Sequence, residues 1–463
     1  MAEVETRPPE PETEGEVIGL SSSLVRGVEE ALDNSDEESV SELISDLHPA
    51  DMADLLESLA PAQREQLLEQ IGQTLDPEVL SYLDSDLRED VAETLGAKEV
   101  ARVLKRLESD DALEFFEDLS EELRTQVLAR VPVTIRRLLQ EGLEYPEDSA
   151  GRLMQREVVV VPAIWNVGET IDYMRSHKKQ MVRDFYDLYV VDPRYRPIGK
   201  IPLSRVLRNK RHVPIVELLD EGVRTVPVTM DQDDVAYLFK QYSLLSAPVV
   251  DASERLVGVV TIDDIVHVVE EEAEDDLLKL GGVKETNVYS AVMETTKSRF
   301  TWLFVNLGTA VMASLVIGIF EATLQQVVAL AILLPIVASM GGNAGTQTVT
   351  VAVRALALKQ LSGGAAKRFI IKELLVGLAN GVLFAVLVGL VAWLWFANPL
   401  IGLIIAMAMV INMVAAGLFG TLVPITLEKL NIDPAVASSV FLTTVTDVIG
   451  FFAFLALAAL ILL

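Results

Sequence analysis

Five apolar segments follow one another after residue 298, each long enough to cross a bilayer: Arg299–Phe320, Val327–Val353, Phe369–Phe396, Leu400–Leu427 and Ala435–Leu463. In hydrocarbon each backbone N–H and C=O must be satisfied internally, so the segments are expected to form a bundle of helices. The last one contains Asp447, in Leu442-Thr-Thr-Val-Thr-Asp-Val-Ile-Gly450, with no Lys or Arg in its span. A carboxylate at that depth costs roughly 2.5–3.5 kcal/mol on insertion scales and needs a partner, a water-filled cavity or a cation. It reads as part of a cation path, against the plainer alternative of a protonated or hydrogen-bonded structural residue. Taken as the lone acid of the bundle, it argues against a proton relay.

Charge separates this bundle from the rest of the chain. Residues 291–463 carry eight Lys or Arg and six Asp or Glu, whereas residues 1–290 carry 30 basic and 62 acidic residues, more than the whole net charge of −30. Such a surface repels phosphates, so nucleic acid is not an expected partner, and metal cations are. With no Cys in the chain, disulfides and thiolate metal sites are excluded. The abundant carboxylates favour hard cations such as Mg2+ and Ca2+. Met1 to Gly19 is rich in Pro and Glu without an apolar core, so no signal peptide is expected there, and residues 1–35 read as an acidic disordered tail.

Residues 36–144 follow a period of 12. Leu47, Leu59, Ile71, Leu83, Leu95, Leu107, Leu119 and Val131 are spaced by it, and Leu43, Leu55, Leu67, Val79, Val91, Val103, Phe115 and Val127 each stand four residues before one of them. Apolar pairs at i, i+4 share a helical face, so short helices stacking into a superhelical domain are predicted. Two similar α/β units come next, at 145–211 and 212–275. Leu188-Tyr-Val-Val-Asp192 with Gly199 returns 59 residues later as Ala247-Pro-Val-Val-Asp251 with Gly258. They resemble a tandem pair of CBS domains, modules that often bind adenine nucleotides. The second unit has Gly258, Thr261 and Asp264 in the Gly-x-x-Thr-x-x-Asp form; the first has Pro202 and Arg205 instead. Thr261 to Asp276 holds eight acids in sixteen residues and no Lys or Arg, a helix that repels itself unless cations screen it. Gly281-Gly282 breaks it. Residues 276–298 read as a connecting helix that ends in the amphipathic stretch Asn287–Ser298, and residues 299–463 as the membrane domain.

Arg354, Lys359, Lys367, Arg368 and Lys372 between the second and third spans, with Lys297, Arg299 and Lys429, place those loops in the cytoplasm by the positive-inside rule. The N-terminal domains are then cytoplasmic and the C-terminus outside. The second span carries Gly341-Gly-Asn-Ala-Gly-Thr-Gln347, with Asn343 and Gln347 on one helical face as candidate pore-lining amides. Asn306 and Asn412, each alone in its span, suit interhelical hydrogen bonds.

The Tyr145-Pro-Glu-Asp-Ser-Ala-Gly-Arg-Leu-Met154 junction and the Gly341–Gln347 and Thr443–Gly450 motifs, with this domain order, resemble the MgtE family of magnesium channels and transporters. The resemblance implies an all-α superhelical N-domain, an α/β tandem CBS pair, a connecting (plug) helix and a five-span α-helical membrane domain, in a multi-pass protein of the cell (inner) membrane. It implies a homodimer with Mg2+ passing between the subunits at Asp447, and Asp433 at the inner mouth, where Asp433 also suits an N-cap before Pro434. Regulatory Mg2+ would bind among Asp110, Glu114, Asp231, Asp233, Asp264, Glu272 and Asp275 and close the pore through the Asn287–Ser298 helix. ATP at Thr261 and Asp264 is a further implied ligand. Ser243 and His267 stand where relatives commonly carry acids. No enzyme constellation is present. The alternatives are a broader divalent-cation secondary transporter and a membrane-anchored CBS sensor.

Overall fold

The computed structural model describes residues 19–178, 181–182, 185–220, 222–283, 292–361 and 363–462. The chain divides into two compact units at Val269/Glu270.

The first unit begins earlier than the sequence suggests. Ser22–Asp33 is a helix, with Ser21 Oγ accepting from the Leu24 N–H at 3.2 Å. Its Leu24, Val28 and Leu32 lie at i, i+4, i+8, and Val28 and Leu32 are buried in the main core. The tail assigned to residues 1–35 is therefore corrected: the helical domain takes in residues 22–33, and residues 1–18 lie outside the described region.

Beyond it, the period of 12 is one helix plus one turn. Helices begin at Glu37, Pro49, Pro61, Ser85, Ser109, Glu121 and Val133, and the kink at Gly96 (φ 74°) starts another at 97. The slot near 73 is filled by the short 3-10 turn Pro77–Leu80. All sixteen apolar positions of the period belong to one core or pack against it. The second member of a pair often sits in the turn rather than on the same helix, as Leu59, Leu83, Leu107, Leu119 and Val131 do. We call the helix Ser109–Glu117 α1.

Two three-stranded sheets follow. β1 (Val160–Pro162), β2 (Asp187–Val191) and β3 (Pro197–Pro202) form one, and β4 (Val226–Pro227), β5 (Ser246–Val250) and β6 (Leu256–Thr261) the other. Each pairs its first two strands parallel and its last two antiparallel. Val190 faces Gly199 and Val249 faces Gly258, so the internal repeat is repeated register by register. The boundary between the two units needs correction, because they exchange segments. Ala150 and Met154 lie in the core of the second unit, and Gln155 exchanges both backbone hydrogen bonds with Val259. Ile215 and Leu218 lie in the core of the first. The two glycines make room for this. A Cβ on Gly258 would stand 2.8 Å from Gln155 O and Met154 Sδ, and one on Gly199 would stand 2.5 Å from Leu219 Cδ2.

The long helix α2 (Ile262–Leu280) starts in the first unit and ends in the second, where Gly282 takes φ +70°. The membrane domain has α3 (Val292–Ile319), α4 (Ala329–Ala357), α5 (Gly364–Phe396), α6 (Pro399–Lys429) and α7 (Pro434–Leu462), all long and apolar enough to cross a bilayer. Of the expected Asn287–Ser298 stretch, 287–291 lies outside the described residues. The rest runs without a break into α3, so the boundary drawn between 298 and 299 is corrected. α6 is the central helix, packed on α4, α5 and α7. Small residues allow the close approach: a Cβ on Gly377 would lie 2.6 Å from Met413 O, and one on Gly402 2.5 Å from Gly389 O.

Gly258→Ala in the full-length protein should lower the thermal midpoint, since overpacking against fixed backbone costs about 1–3 kcal/mol. Gly27→Ala, whose Cβ would meet only Leu43 at an ordinary 3.6 Å, should leave the midpoint unchanged or raised. Equal midpoints for the two variants in thermal melts would contradict the segment exchange.

Candidate functional site

In the first unit an acidic cluster forms where α1 meets the CBS pair. Ser109 is buried at the start of α1. Its Oγ donates to Glu157 Oε2 (2.7 Å) and accepts from the Arg156 N–H (2.7 Å). Gln155 Nε2 donates to Glu108, and Arg152 pairs with Glu117. This clamp brings Asp110 of α1 and Asp264 of α2 within reach of each other's charge. Burial first, then Asp264 and Asp111, push the Asp110 carboxyl well above the ordinary range. Burial lifts Asp264 to about 7, against the hydrogen bond from Thr261 and helped by the Asp263 charge. Burial, then Asp111, Glu157, Asp263 and Glu78, raise Glu108 to about 7. Asp111 is raised to about 6, again mainly by burial.

Other expected ligands are engaged elsewhere. Glu114 pairs with Arg88 (2.7 Å), which also holds Asp118 (2.8 Å). Asp231 caps the helix Gln232–Tyr242 by accepting from the Asp233 N–H at 3.0 Å. Thr261 Oγ1 donates to Asp264 Oδ2 at 2.6 Å, so the two expected nucleotide residues bond each other. Among the described residues no group of three or more His, Asp or Glu is arranged to hold a metal. The donor set is nonetheless all oxygen and mutually repulsive, which suits a hard dication.

In the second unit Glu272 and Asp275 lie on the half-buried part of α2. Asp433 uses both carboxylate oxygens: Oδ1 accepts from the Ala435 N–H (2.8 Å) and Oδ2 from Lys279 Nζ (2.8 Å). Asp275 pairs with the same ammonium. Partial burial works against the Lys279 charge, but its hydrogen bonds to Asp275 and Asp433 outweigh this and raise its pKa above the usual lysine value. Burial and the Asp433 charge raise Asp276.

In the bundle, Asp447 is half-buried and accepts no hydrogen bond from a described residue. Its threonine neighbours do not serve it: Thr444 donates to Val440 O, and Thr446 to Leu442 O and Thr443 O. Asn343 and Gln347 are exposed on the face of α4 opposite buried Gly341, Gly345 and Thr348. The groove between α6 and α7 lined by Ile411, Val448, Phe452 and Leu460 is apolar throughout and offers an ion nothing.

Sequence reasoning missed one acid. Glu373 lies within the third span, buried against α4, where Thr348 Oγ1 donates to it at 3.4 Å, and Lys372 is 3.3 Å away. Asp447 is thus not the lone acid. The adjacent Lys372 disguised Glu373 as part of the basic loop.

Three family profiles match successive parts of the chain: the MgtE intracellular N domain (47–148), a CBS domain (215–271) and the MgtE divalent cation transporter (334–457). A protein of Thermus thermophilus named magnesium transporter MgtE is 31% identical over 96% of this chain and 99% of its own length. The chain belongs to the MgtE family. A second MgtE, from Enterococcus faecalis, is 34% identical over 67% of this chain and 68% of its own. A crystal structure of the cytosolic domain of the Mg2+ channel MgtE in complex with ATP is 28% identical, covering 53% of this chain and 99% of that one with a TM-score of 0.49. In this MgtE-family chain the transporter match spans both Asn343 and Asp447, and the N-domain match spans Asp110.

The raised carboxyls set the sign of a pH effect. They bind protons more tightly folded than unfolded, where carboxylates titrate near about 4. Their contribution to stability is present below that value and lost as pH rises toward about 7. Without divalent cations, the thermal midpoint of the full-length protein should fall between pH 5 and pH 8. Millimolar Mg2+ should restore it more at pH 8, because ligation needs ionised carboxylates. A midpoint that rises across this window in the absence of cations would overturn the cluster.

Proposed function

We propose that this chain conducts Mg2+ across a cell membrane, along a path that passes Asp447 and is completed by a second copy of the chain. The observation that carries it is the half-buried Asp447 carboxylate, which accepts no hydrogen bond from a described residue inside an apolar helix. Such a group needs a cation or water. Asn343 and Gln347 support the dimer: amides exposed on a membrane helix are better matched to a wet interface than to lipid. The ion follows from the relatives named magnesium transporters. Mg2+ gives up its waters reluctantly, so Asp447 from each copy would hold the hydrated ion through its water shell. The cytoplasmic placement of the N-terminal domains rests on the basic loops between spans.

Regulation is the second half of the proposal. Asp110 and Asp264, with Glu108 and Asp111 beside them, are held together against their own repulsion; cytosolic Mg2+ relieves it and favours the closed arrangement. Glu272 and Asp275, farther along α2 in the second unit, are the further regulatory ligands of this proposal. Asp233, in the first turn behind Asp231, and Glu114, paired with Arg88, are its outer members. We assign Asp264 to the cation in preference to ATP, because its carboxylate lies in the field of Asp110 and its bond to Thr261 already occupies one oxygen. Asp433, bonded to Lys279, stands at the cytoplasmic end of α7 as the inner mouth.

Reconstituted in liposomes, the native chain should carry Mg2+ when cytosolic-side Mg2+ is low and stop when it is raised to millimolar. Asp447→Ala should remove at least about 90% of the flux, since a lost charge–ligand contact is worth upwards of roughly a factor of ten. Undiminished flux in Asp447→Ala would sink the path and favour the anchored-sensor reading. Flux that requires a proton gradient would favour a coupled carrier.

A further inference from the structure

Asn412 lies in the middle of α6 and is fully buried. Its Nδ2 donates to Val337 O of α4 at 2.8 Å, while its Oδ1 has no partner among the described residues. Two glycines enclose this carboxamide from different helices. A Cβ on Gly341 of α4 would stand 2.2 Å from Asn412 Nδ2, and a Cβ on Gly450 of α7 would stand 2.6 Å from the same atom. No side chain larger than hydrogen fits at either position while the amide stays where it is.

These glycines sit in the two motifs that carry the path residues. Gly341 opens the stretch containing Asn343 and Gln347, and Gly450 closes the stretch containing Asp447. A second close approach joins the same helices, where a Cβ on Gly345 would meet Leu442 Cδ2 at 2.6 Å. Asn343 falls between Gly341 and Gly345, and Asp447 falls between Leu442 and Gly450. The two contacts therefore bracket both residues and fix how α4 and α7 lie against each other at their level.

An apolar residue of similar size would avoid the cost of the unpartnered oxygen. Stability alone therefore gives no reason for an amide here. What the amide adds is direction. A hydrogen bond in a low-dielectric interior fixes the rotation of α4 about α6, and the flat carboxamide lets the glycine-backed face of α7 close over it.

We propose that Asn412 is a positioning residue for cation selection, locking α4 and α7 so that Asn343 and Asp447 present a fixed spacing to the hydrated ion. The inference deepens the path reading above and rests on it. Asn412 touches no ion; a loose α4–α7 pair still conducts but discriminates hydration shells less well.

The test is flux of Mg2+ and of Mn2+ or Ca2+ in liposomes holding the full-length chain, reported as a ratio per folded protein. Asn412→Leu removes the hydrogen bond at similar volume, and Gly450→Ala crowds the donating Nδ2 from α7. Both should conduct while the preference for Mg2+ falls by roughly tenfold, a typical size for a residue acting through neighbours. If Asn412→Leu does not fold, Gly450→Ala carries the test alone. Ratios equal to native, whatever the thermal midpoint, would leave Asn412 a packing residue and overturn the proposal. Asp447→Ala in the same assay separates the two ideas. Silence there ends the path reading itself, whereas loss of flux there with unchanged ratios in the Asn412 and Gly450 variants ends the positioning role only.

Discussion

A carboxylate removed from water must find a proton, a partner or a cation. This chain meets that constraint in three ways. Asp433 and Asp275 are answered from within, by Lys279. Asp110 and Asp264 lie in each other's field with no lysine or arginine ion pair among the described residues, and burial raises both carboxyls above the ordinary range. Asp447 accepts no hydrogen bond from a described residue in an apolar helix. The first case is a finished structural contact. Under the proposed function a cation drawn from solution would occupy the other two, in keeping with a chain that carries 68 acids against 38 bases.

The contrast at Lys279 bears on how the acids of α2 should be read. On sequence alone, Asp275 and Glu272 look alike: neighbours in a self-repelling run. In the folded chain Asp275 shares an ammonium with Asp433, so a divalent ion arriving there has to displace a tethered cation. Asp264 presents no such competitor, its contact being a neutral hydroxyl. Local charge density alone thus does not tell which of these acids is already engaged; the resident partner does.

How much was legible in the sequence follows from the range of the interactions concerned. The period of 12, the duplicated Val-Val-Asp strands and the five spans are patterns within short windows, and the folded chain keeps all three. The helix Ser22–Asp33 was missed because its Leu24, Val28 and Leu32 precede the period and follow a Pro- and Glu-rich stretch. The segment exchange between the CBS units was invisible because it joins Gln155 to Val259, and only the repeated Gly199 and Gly258 hinted at a close approach. In the candidate site, Asp447 was singled out by the cost of burying its charge and Asn343 by its spacing from Gln347, whereas Asp110 came only with the family resemblance, and its closeness to Asp264 was not legible. The diversion of Glu114 to Arg88, and the burial of Glu373 behind Lys372, needed the third dimension.

The acidic cluster depends on a scaffold that is not itself acidic. Repulsion alone would separate α1 from the start of α2, yet α1 is tied down by Ser109 with Glu157 and by Arg152 with Glu117. Those partners sit on the segment that runs from Ala150 to Gln155 and on to Glu157, and its backbone is bonded to Met230, in the turn after β4, and to Val259 of β6. Beneath α1, Phe115 and Phe116 are buried in the helical core. Apolar burial and polar clamps thus hold Asp110 where its own charge would not place it. Hydrophobic burial is insensitive to Mg2+ and to pH near neutrality, while the carboxylates respond to both. On the proposed reading, dividing the work in this way would let the cluster take up and release Mg2+ while the domain that carries it stays folded.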